Sequence, residues 1–177
     1  MPRLALDLTD EELRAGLSAC LAVPRWVEDV ASRGPYGSLA DLLTVAREAA
    51  TPLTAAEVDQ ALASHPRIGE RPSGSGASHA LSRAEQRSSA SDDPALAAAL
   101  AAGNEAYERR FGRVFLIRAT GRTRPEILVE LHRRLRLDPA AELEVVAAEL
   151  RDIALLRIRQ VFGVPDAITA PSSEAAG

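Results

Sequence analysis

The chain has 177 residues, of which 46% are hydrophobic and 26% are charged, and its formal net charge is −4 at pH 7. This length and composition are typical of one globular domain with a substantial apolar core. The acidic balance offers no basic stripe for nucleic acid and no attraction to an anionic membrane, so neither partner is expected, and the single cysteine, Cys20, excludes an internal disulfide.

Helix-start signals recur along the whole chain and predict an all-α fold, a single compact domain of roughly seven or eight helices. A Ser or Thr followed three positions later by Glu fits the capping box, in which the hydroxyl and the carboxylate each accept from a backbone amide at the helix start. An Asp-Pro pair combines an N-cap with proline at the first helical position. In chain order the signals are Thr9–Glu12, Thr54–Glu57, Ser82–Glu85, Asp93–Pro94, Thr123–Glu126 and Asp138–Pro139, with helix ends expected at Gly112 and Gly163.

Between these signals, apolar residues recur three and four positions apart, which is the spacing of one helix face. Each stripe predicts the face that its helix turns toward the core. The stripes are Leu13, Leu17 and Cys20/Leu21; Leu39, Leu42/Leu43, Ala46 and Ala49/Ala50; Leu96, Leu100, Tyr107 and Phe111; Ile127/Leu128, Leu131 and Leu135; and a last, longest helix from about Pro139 to Phe162.

Three segments fall outside this helical pattern. Residues 114–119 have the composition of a strand, but no partner strand is evident, so we expect a buried linking segment. Residues 71–78 are rich in Gly and Ser and predict a flexible loop. Residues 170–177 are small and polar and predict a disordered tail, which leaves a helical domain over residues 1–169.

Several functional classes lack their motifs here. The sequence contains no glycine-rich phosphate loop, no His-Glu-x-x-His and no Gly-x-Ser-x-Gly. We therefore expect no cofactor and no metal site. Residues 1–10 lack the apolar run of a signal peptide, and no apolar stretch is long enough to span a bilayer, so a cytoplasmic location is expected.

Two of the three histidines are expected on the surface. His79 follows the segment that is rich in Gly and Ser. His132 lies in an arginine-rich helical segment that we interpret as a solvated helix face. The other members of that segment are Arg133, Arg134 and Arg136.

His65 differs from both because Pro66 follows it and disfavours the α conformation at the residue before the proline. This constraint places His65 at the end of the helix that begins near Thr54. There the ring can interact with the last carbonyls of the helix, or it can serve a functional site. The residues alone leave both interpretations open.

Two further positions have a structural and a functional interpretation. Ser82 and Glu85 fit a capping box, but a helix start of this kind can also bind a small anion. Arg157 occupies the missing position of the apolar stripe of the last helix, where a charge is costly unless it is paired. An acidic partner or a bound anion would satisfy it. The stripe consists of Leu143, Ala147, Leu150, Ala154 and Val161.

Taken together, these residues resemble the 2-oxo-4-hydroxy-4-carboxy-5-ureidoimidazoline (OHCU) decarboxylase family. The order and spacing of the shared motifs hold over residues 5–163. The matching pieces are Ser64-His-Pro-Arg-Ile-Gly-Glu70; Ser82-x-x-Glu85-Gln86; Asn104-x-x-Tyr107-x-x-Arg110-Phe111-Gly112; Phe115-x-Ile117; Gly121; Ile127-Leu128; and Glu149-x-x-x-Ile153-Ala154-x-x-Arg157.

The resemblance implies an all-helical, cofactor-independent enzyme of urate breakdown that converts OHCU to (S)-allantoin. It also implies His65, Glu85 and Arg157 as the catalytic residues. Many relatives continue differently after His-Pro, and the Arg67-Ile68-Gly69 found here is familiar among bacterial members. The substrate contacts that the resemblance implies are Pro66, Ser82, Gln86, Ile117, Arg118, Ala119, Thr120 and Gly121.

Each implied residue has an expected role in such a decarboxylation. The ring of the substrate can spread the charge left by CO2, so no external electron sink is required. Arg157 would hold an anionic group through its guanidinium fork, and backbone amides of residues 117–121 would stabilise the developing oxyanion. His65 would carry the proton, with Glu85 favouring the imidazolium and fixing the ring.

Two alternatives remain beside this interpretation. One is an enzyme of the same fold that acts on a related ureido- or carboxy-imidazoline, because residues outside the motifs set fine specificity. The other is a non-catalytic helical interaction module, which would be expected to lose one of the three implied catalytic residues. Family members are often homodimers, so the resemblance also implies a homodimer.

Overall fold

The computed structural model describes residues 8–68, 77–87 and 93–163, and within these ranges it contains eight α-helices and no β-strand. The all-α prediction is confirmed, whereas the predicted tail and the bounds of the predicted domain extend beyond the described residues. The helices are α1 (Asp10–Cys20), α2 (Pro24–Ala31), α3 (Leu39–Ala49), α4 (Ala55–Leu62), α5 (Ala77–Arg87), α6 (Pro94–Phe111), α7 (Arg124–Arg134) and α8 (Pro139–Phe162).

Most of the predicted helix starts are confirmed. Thr9, Thr54 and Thr123 each form a complete capping box with the glutamate three residues later. Asp93 and Asp138 accept from first-turn amides ahead of a proline. These side chains satisfy backbone donors that the helix itself leaves without partners, so they fix where each helix begins.

The predicted helix ends also hold, although the two glycines differ in conformation. Gly112 ends α6 in the left-handed region at φ 70°, and nothing lies within 4 Å of a Cβ placed there. Gly163 ends α8 with ordinary extended backbone at φ −68°.

The capping box predicted at Ser82 is wrong. Helix α5 already begins at Ala77, so Ser82 and Glu85 lie inside the helix, one turn apart on the same face. Residues 77–78, which were expected in a flexible loop, belong to this helix. The remaining residues of that predicted loop, 71–76, lie outside the described part of the chain.

Helix α8 is the central helix of the larger core, and it packs against α1, α3 and α4. Within α1 the predicted stripe is buried, including the thiol of Cys20. A smaller core joins α6 to α7 around Tyr107, Ile127 and Leu131. None of the described helices has both the length and the apolar composition needed to cross a membrane.

The segment of residues 114–119 lies between the two cores. Leu116 belongs to the larger core, while Phe115, Ile117 and Ala119 belong to the smaller one. The prediction of a buried linking segment is therefore confirmed. This position matters for function, because the segment meets helices from both parts of the fold.

Two expectations about exposed and buried faces need correction. Val161 was assigned to the buried stripe of α8, but it is 40% exposed. Arg134 was assigned with His132 to a solvated face of α7; His132 is exposed, but Arg134 is completely buried. Arg134 follows Ile127 and Leu131 on the core side of α7, where buried Glu142 of α8 compensates its charge.

Candidate active site

His65 follows the end of α4 and turns its ring back toward that helix. Its Nδ1 lies 2.9 Å from the carbonyl oxygen of Ala61. Because a carbonyl oxygen only accepts, Nδ1 carries the hydrogen, and in the neutral ring Nε2 therefore keeps a lone pair. Nε2 is buried and has no hydrogen-bond partner among the described residues. The contact with a helix carbonyl is thus present, and it leaves the second ring nitrogen available for chemistry.

The surroundings of His65 favour the neutral ring. Burial, and to a smaller extent the charge of Arg157, lower its pKa from 6.5 to about 4, although the contact with Ala61 and the charge of Glu85 raise it. Glu85 does favour the imidazolium, as expected, but the opposing effects of burial and of Arg157 are larger. The ring is fixed by Ala61 instead.

Arg157 lies on the buried side of α8 and is 1% exposed. Its Nε donates to Glu85 Oε1 at 2.7 Å, and its Nη2 donates to Glu85 Oε2 at 2.9 Å and to Ser82 Oγ at 3.0 Å. An acidic partner therefore satisfies this arginine, which was one of the two alternatives left open. The same spacing that resembled a capping box places Ser82 and Glu85 side by side against the guanidinium.

His65, Ser82 and Glu85 line one small cavity of about 20 Å³. Four elements meet around it: the turn after α4, helix α5, the segment of residues 114–119 and helix α8. Arg157 is not part of the lining but contacts it through Glu85 and Ser82. The complete lining described is His65, Pro66, Ile68, Ser82, Glu85, Leu116, Ile117, Ala119 and Ile153.

The other residues implied by the resemblance are placed differently. Arg118 lies on the segment of residues 114–119, and Thr120 and Gly121 follow it, but all three are outside the described lining. The Arg118 amide donates to Glu149 Oε2 at 2.7 Å. Gln86 lies in α5, but its side chain is outside the described residues, as is that of His79. Leu116, Ile68 and Ile153 also line the cavity, although the sequence did not predict them as site residues.

The turn that carries His65 is tied to α6. Asn104 Nδ2 donates to the carbonyl of Ile68 at 2.9 Å, and Arg67 forms an ion pair with Glu108 at 2.5 Å. Arg67 is therefore paired with α6 and is not part of the cavity lining. Both contacts join the turn to α6.

Size alone does not locate the site. An open depression of about 740 Å³ lies between α1 and α2, and none of the implied site residues lines it. A second depression of about 200 Å³ lies on the α6 side of Ile68. Within residues 8–68, 77–87 and 93–163 no group of three or more His, Cys, Asp or Glu side chains is arranged to hold a metal ion.

The all-helical fold thus brings a buried arginine–glutamate pair next to a histidine whose surroundings favour the neutral ring. The family model described as OHCU decarboxylase matches residues 7–159. The chain belongs to the OHCU decarboxylase family, a family of carboxy-lyases.

Two relatives were found among characterised proteins. The Arabidopsis thaliana uric acid degradation bifunctional protein TTL is 28% identical over 162 residues, which cover 90% of this chain and 49% of that protein. The 2-oxo-4-hydroxy-4-carboxy-5-ureidoimidazoline decarboxylase of Amia calva is 31% identical over 133 residues, covering 74% of this chain and 76% of that protein. The chain thus spans about half the length of the plant relative.

Solved structures of other proteins share the fold. A crystal structure of OHCU decarboxylase in the presence of (S)-allantoin matches with a TM-score of 0.72 and 27% identity, covering 89% of this chain and 100% of the other. A crystal structure of (S)-allantoin synthase matches with a TM-score of 0.63 and 16% identity, covering 89% of this chain and 52% of the other. The second likeness concerns the fold alone.

Proposed function

We propose that this chain converts OHCU to (S)-allantoin and CO2, with His65 moving a proton at the reacting carbons. The observation that carries the proposal is the buried Nε2 of His65, which has a lone pair and no partner among the described residues. His65 shares its cavity with Glu85 and Ser82, which Arg157 holds. Membership of the family and the similarity to the OHCU decarboxylase of Amia calva support the same activity.

The chemistry follows from the substrate, whose name places a hydroxyl and a carboxylate on one ring carbon. When the bond to the carboxylate breaks, CO2 leaves and the bonding electrons pass into the ring, where a nitrogen takes up a proton from solvent. The hydroxyl must then lose its proton so that its carbon becomes a carbonyl. The neighbouring carbon gains a proton, and the face that receives it decides the handedness of the product.

His65 is suited to both proton transfers. Its neutral ring can accept the hydroxyl proton at Nε2 and deliver it to the neighbouring carbon. Because the Ala61 contact fixes the ring, delivery takes place from one side of the cavity, which accounts for a single enantiomer. No external electron sink is required, so we propose a cofactor-independent reaction.

Arg157 acts in this scheme mainly through Glu85 and Ser82. Glu85 already occupies the fork expected to hold the substrate, and only Nη1 of the guanidinium makes no hydrogen bond to the described residues. We propose that Arg157 orients Glu85 and Ser82 and offers Nη1 to the substrate. The proposed substrate contacts are Pro66, Ser82, Gln86, Ile117, Arg118, Ala119, Thr120 and Gly121.

The cavity favours release of a neutral product. Leu116, Ile117, Ala119 and Ile153 give it apolar walls, and moving a carboxylate from water to such walls costs far more free energy than moving neutral CO2. Ligand pockets usually measure about 300 Å³ or more. A cavity of about 20 Å³ must therefore widen when a substrate enters.

The proposals for cellular location, partners and oligomeric state rest on composition and on the family resemblance. They are a cytoplasmic location, a small-molecule substrate, no nucleic-acid or membrane partner, and a homodimeric state. Light scattering of the purified protein checks the last of these, and a monomer at micromolar concentration would contradict it.

The test is a coupled assay followed by circular dichroism. Urate is converted in place to OHCU, and the optical activity of the allantoin is followed with wild type, H65N and H132N. We expect a fast dextrorotatory signal with wild type and with H132N, whose histidine is exposed on α7. H65N should retain less than about a tenth of the rate.

Two outcomes would contradict the proposal. Racemic allantoin at the spontaneous rate in the presence of wild type would exclude this substrate. If H65N were as fast as wild type, OHCU would still be the substrate, but His65 would not be the group that transfers the proton.

A further inference from the structure

A buried charged cluster lies beside the candidate site, on the side of the smaller core. Arg134 of α7 and Glu142 of α8 are both 0% exposed. The guanidinium donates to Glu142 from Nε at 2.9 Å and from Nη2 at 2.5 Å. Tyr107 of α6 donates its hydroxyl to the same carboxylate. Three helices therefore meet at this cluster.

The cluster also reaches the backbone of the segment that forms one wall of the cavity. Arg134 Nη1 donates to the carbonyl of Leu116 at 2.6 Å. Its guanidinium lies over the ring of Phe115, 4.7 Å from the ring centre. Leu116 lines the cavity, so one guanidinium joins the ion pair to the cavity wall.

A second charged side chain holds the same segment from α8. Glu149 Oε2 accepts from the Arg118 amide at 2.7 Å, and Glu149 also pairs with Arg122 at 3.8 Å. Consecutive peptide groups on either side of Ile117 are thus fixed by side chains of two helices. In a trans peptide the N–H and C=O point in opposite directions, so the Ile117 N–H points away from Arg134.

Stability alone does not account for such a cluster. A buried ion pair can often be replaced by apolar residues of similar volume without loss of stability, since desolvation of the charges offsets their attraction. Apolar residues cannot donate to the carbonyl of Leu116. The specific contribution of the cluster is therefore the direction in which this backbone segment is held.

We propose that Arg134, with Glu142 and Tyr107 behind it, is a positioning residue that fixes the backbone of residues 115–118 against the active site. The inference rests on the proposed function, because that function gives the wall its substrate. Arg134 touches neither the cavity nor His65. It acts on the reaction through the Leu116 carbonyl.

The decisive variant makes the cluster apolar. In R134M/E142L/Y107F all three polar partners are removed together, so no buried charge or phenol is left behind. We expect a melting temperature close to wild type and a kcat lower by about a hundredfold, since a displacement of about 1 Å at the reacting groups can cost that much. KM should change far less than kcat, and amide exchange of residues 115–118 should become faster.

The matched control is R133M/E130L. Arg133 and Glu130 form an ion pair on the same helix, at 2.6 Å, and their bonds do not reach the 115–118 segment. Its kcat and its amide exchange should equal those of wild type. Wild-type kcat in a folded triple variant would overturn the proposal, because the cluster would then serve stability alone.

A conservative variant decides the matter if the triple variant does not fold. R134K keeps the charge but loses the fork that binds Glu142 and Leu116 together, so kcat should fall at least about tenfold in a folded protein. An unchanged kcat in R134K would overturn the proposed positioning role of Arg134. If wild type itself does not turn over OHCU, the proposed function fails, and amide exchange of residues 115–118 decides positioning separately: unchanged exchange in the variants rejects it.

Discussion

One ring nitrogen of His65 is fixed by a hydrogen bond, and the other has no partner among the described residues. The hydrogen bond to Ala61 assigns the proton to Nδ1, and burial keeps the ring neutral well below pH 7. A histidine in this state begins the reaction as a base. A histidine that began as an acid would have to be protonated first, which this environment opposes.

The pH dependence of turnover follows from that state. We expect kcat/KM to stay constant from pH 7 down to about pH 5 and to fall as the pH approaches 4, because His65 has a pKa of about 4 in the free protein. Initial rates by circular dichroism across this range provide the measurement. An inflection near pH 6.5 would show that the base is another group or that the ring is more exposed to water.

Arg157 depends on Glu85 for its charge balance. In E85Q the guanidinium stays buried with a neutral partner, and we expect the free energy of unfolding to fall by about 3 kcal/mol. The control is E105Q on α6, whose carboxylate pairs with Arg109 in solvent, with both side chains more than half exposed. That variant should change stability by less than about 0.5 kcal/mol. Urea unfolding compares the two, and equal losses would contradict a specific role for the buried pair.

At the scale of elements, α6 and α7 approach each other at Gly103. A Cβ built there would lie 2.4 Å from Leu131 Cδ2, and Leu131 is completely buried. Glycine within a helix costs about 1 kcal/mol relative to alanine. The close approach of the two helices is therefore the reason for this residue.

G103A should destabilise the protein despite its better helix propensity. Overpacking costs about 1–3 kcal/mol, which equals or exceeds the gain of about 1 kcal/mol from alanine. In an L131A background the same substitution should be neutral or stabilising, because the contacting methyl is gone. Thermal unfolding of the four proteins gives the coupling, and additive effects would contradict the proposed contact.

The elements show where sequence reasoning was sufficient. Capping boxes and Asp-Pro pairs act within one helical turn, so three boxes and both pairs were predictable from neighbours alone. Ser82–Glu85 failed because the same spacing also places two side chains on one face inside a helix. Only a helix that begins upstream, at Ala77, distinguishes the two arrangements.

A buried charge was predicted from the sequence only where the residues around it had been recognised as an apolar stripe. Arg157 was identified because it interrupts a stripe in α8. Arg134 follows Ile127 and Leu131 at the same spacing, but the neighbouring arginines of α7 suggested a solvated face. Glu142 begins the buried face of α8 in the same way and was not identified.

At the scale of the whole molecule, folding joins residues that are far apart in the sequence. Arg157 and Glu85 are separated by 72 positions and Arg118 and Glu149 by 31. Family motifs could indicate that such residues act together, but not that Glu85 fills the guanidinium fork. The low pKa of His65 was equally beyond prediction, since its burial depends on the packing of distant segments.

The stability of the whole chain should depend on His65 in mildly acidic solution. Its pKa is about 4 when folded and about 6.5 when unfolded. Between these values the unfolded chain binds a proton that the folded chain does not. The contribution of the neutral ring is therefore fully present above pH 6.5 and is lost as the pH falls from 6.5 to 4, by at most about 3 kcal/mol.

H65N removes this dependence and provides the measurement. The free energy of unfolding of wild type should fall more steeply between pH 6.5 and 4.5 than that of H65N. H132N, which changes an exposed histidine, should keep the wild-type slope. Identical slopes for wild type and H65N would mean that His65 titrates alike in both states.

Cys20 lies on the buried face of α1, 1% exposed, and burial raises the pKa of its thiol to about 12. Alkylating reagents react with the thiolate, so the folded protein should resist them almost completely at neutral pH. Modification then requires α1 to separate from its neighbours, chiefly α8. Since the chain has no second cysteine, the rate of alkylation of the unaltered protein reports directly how often this helix opens.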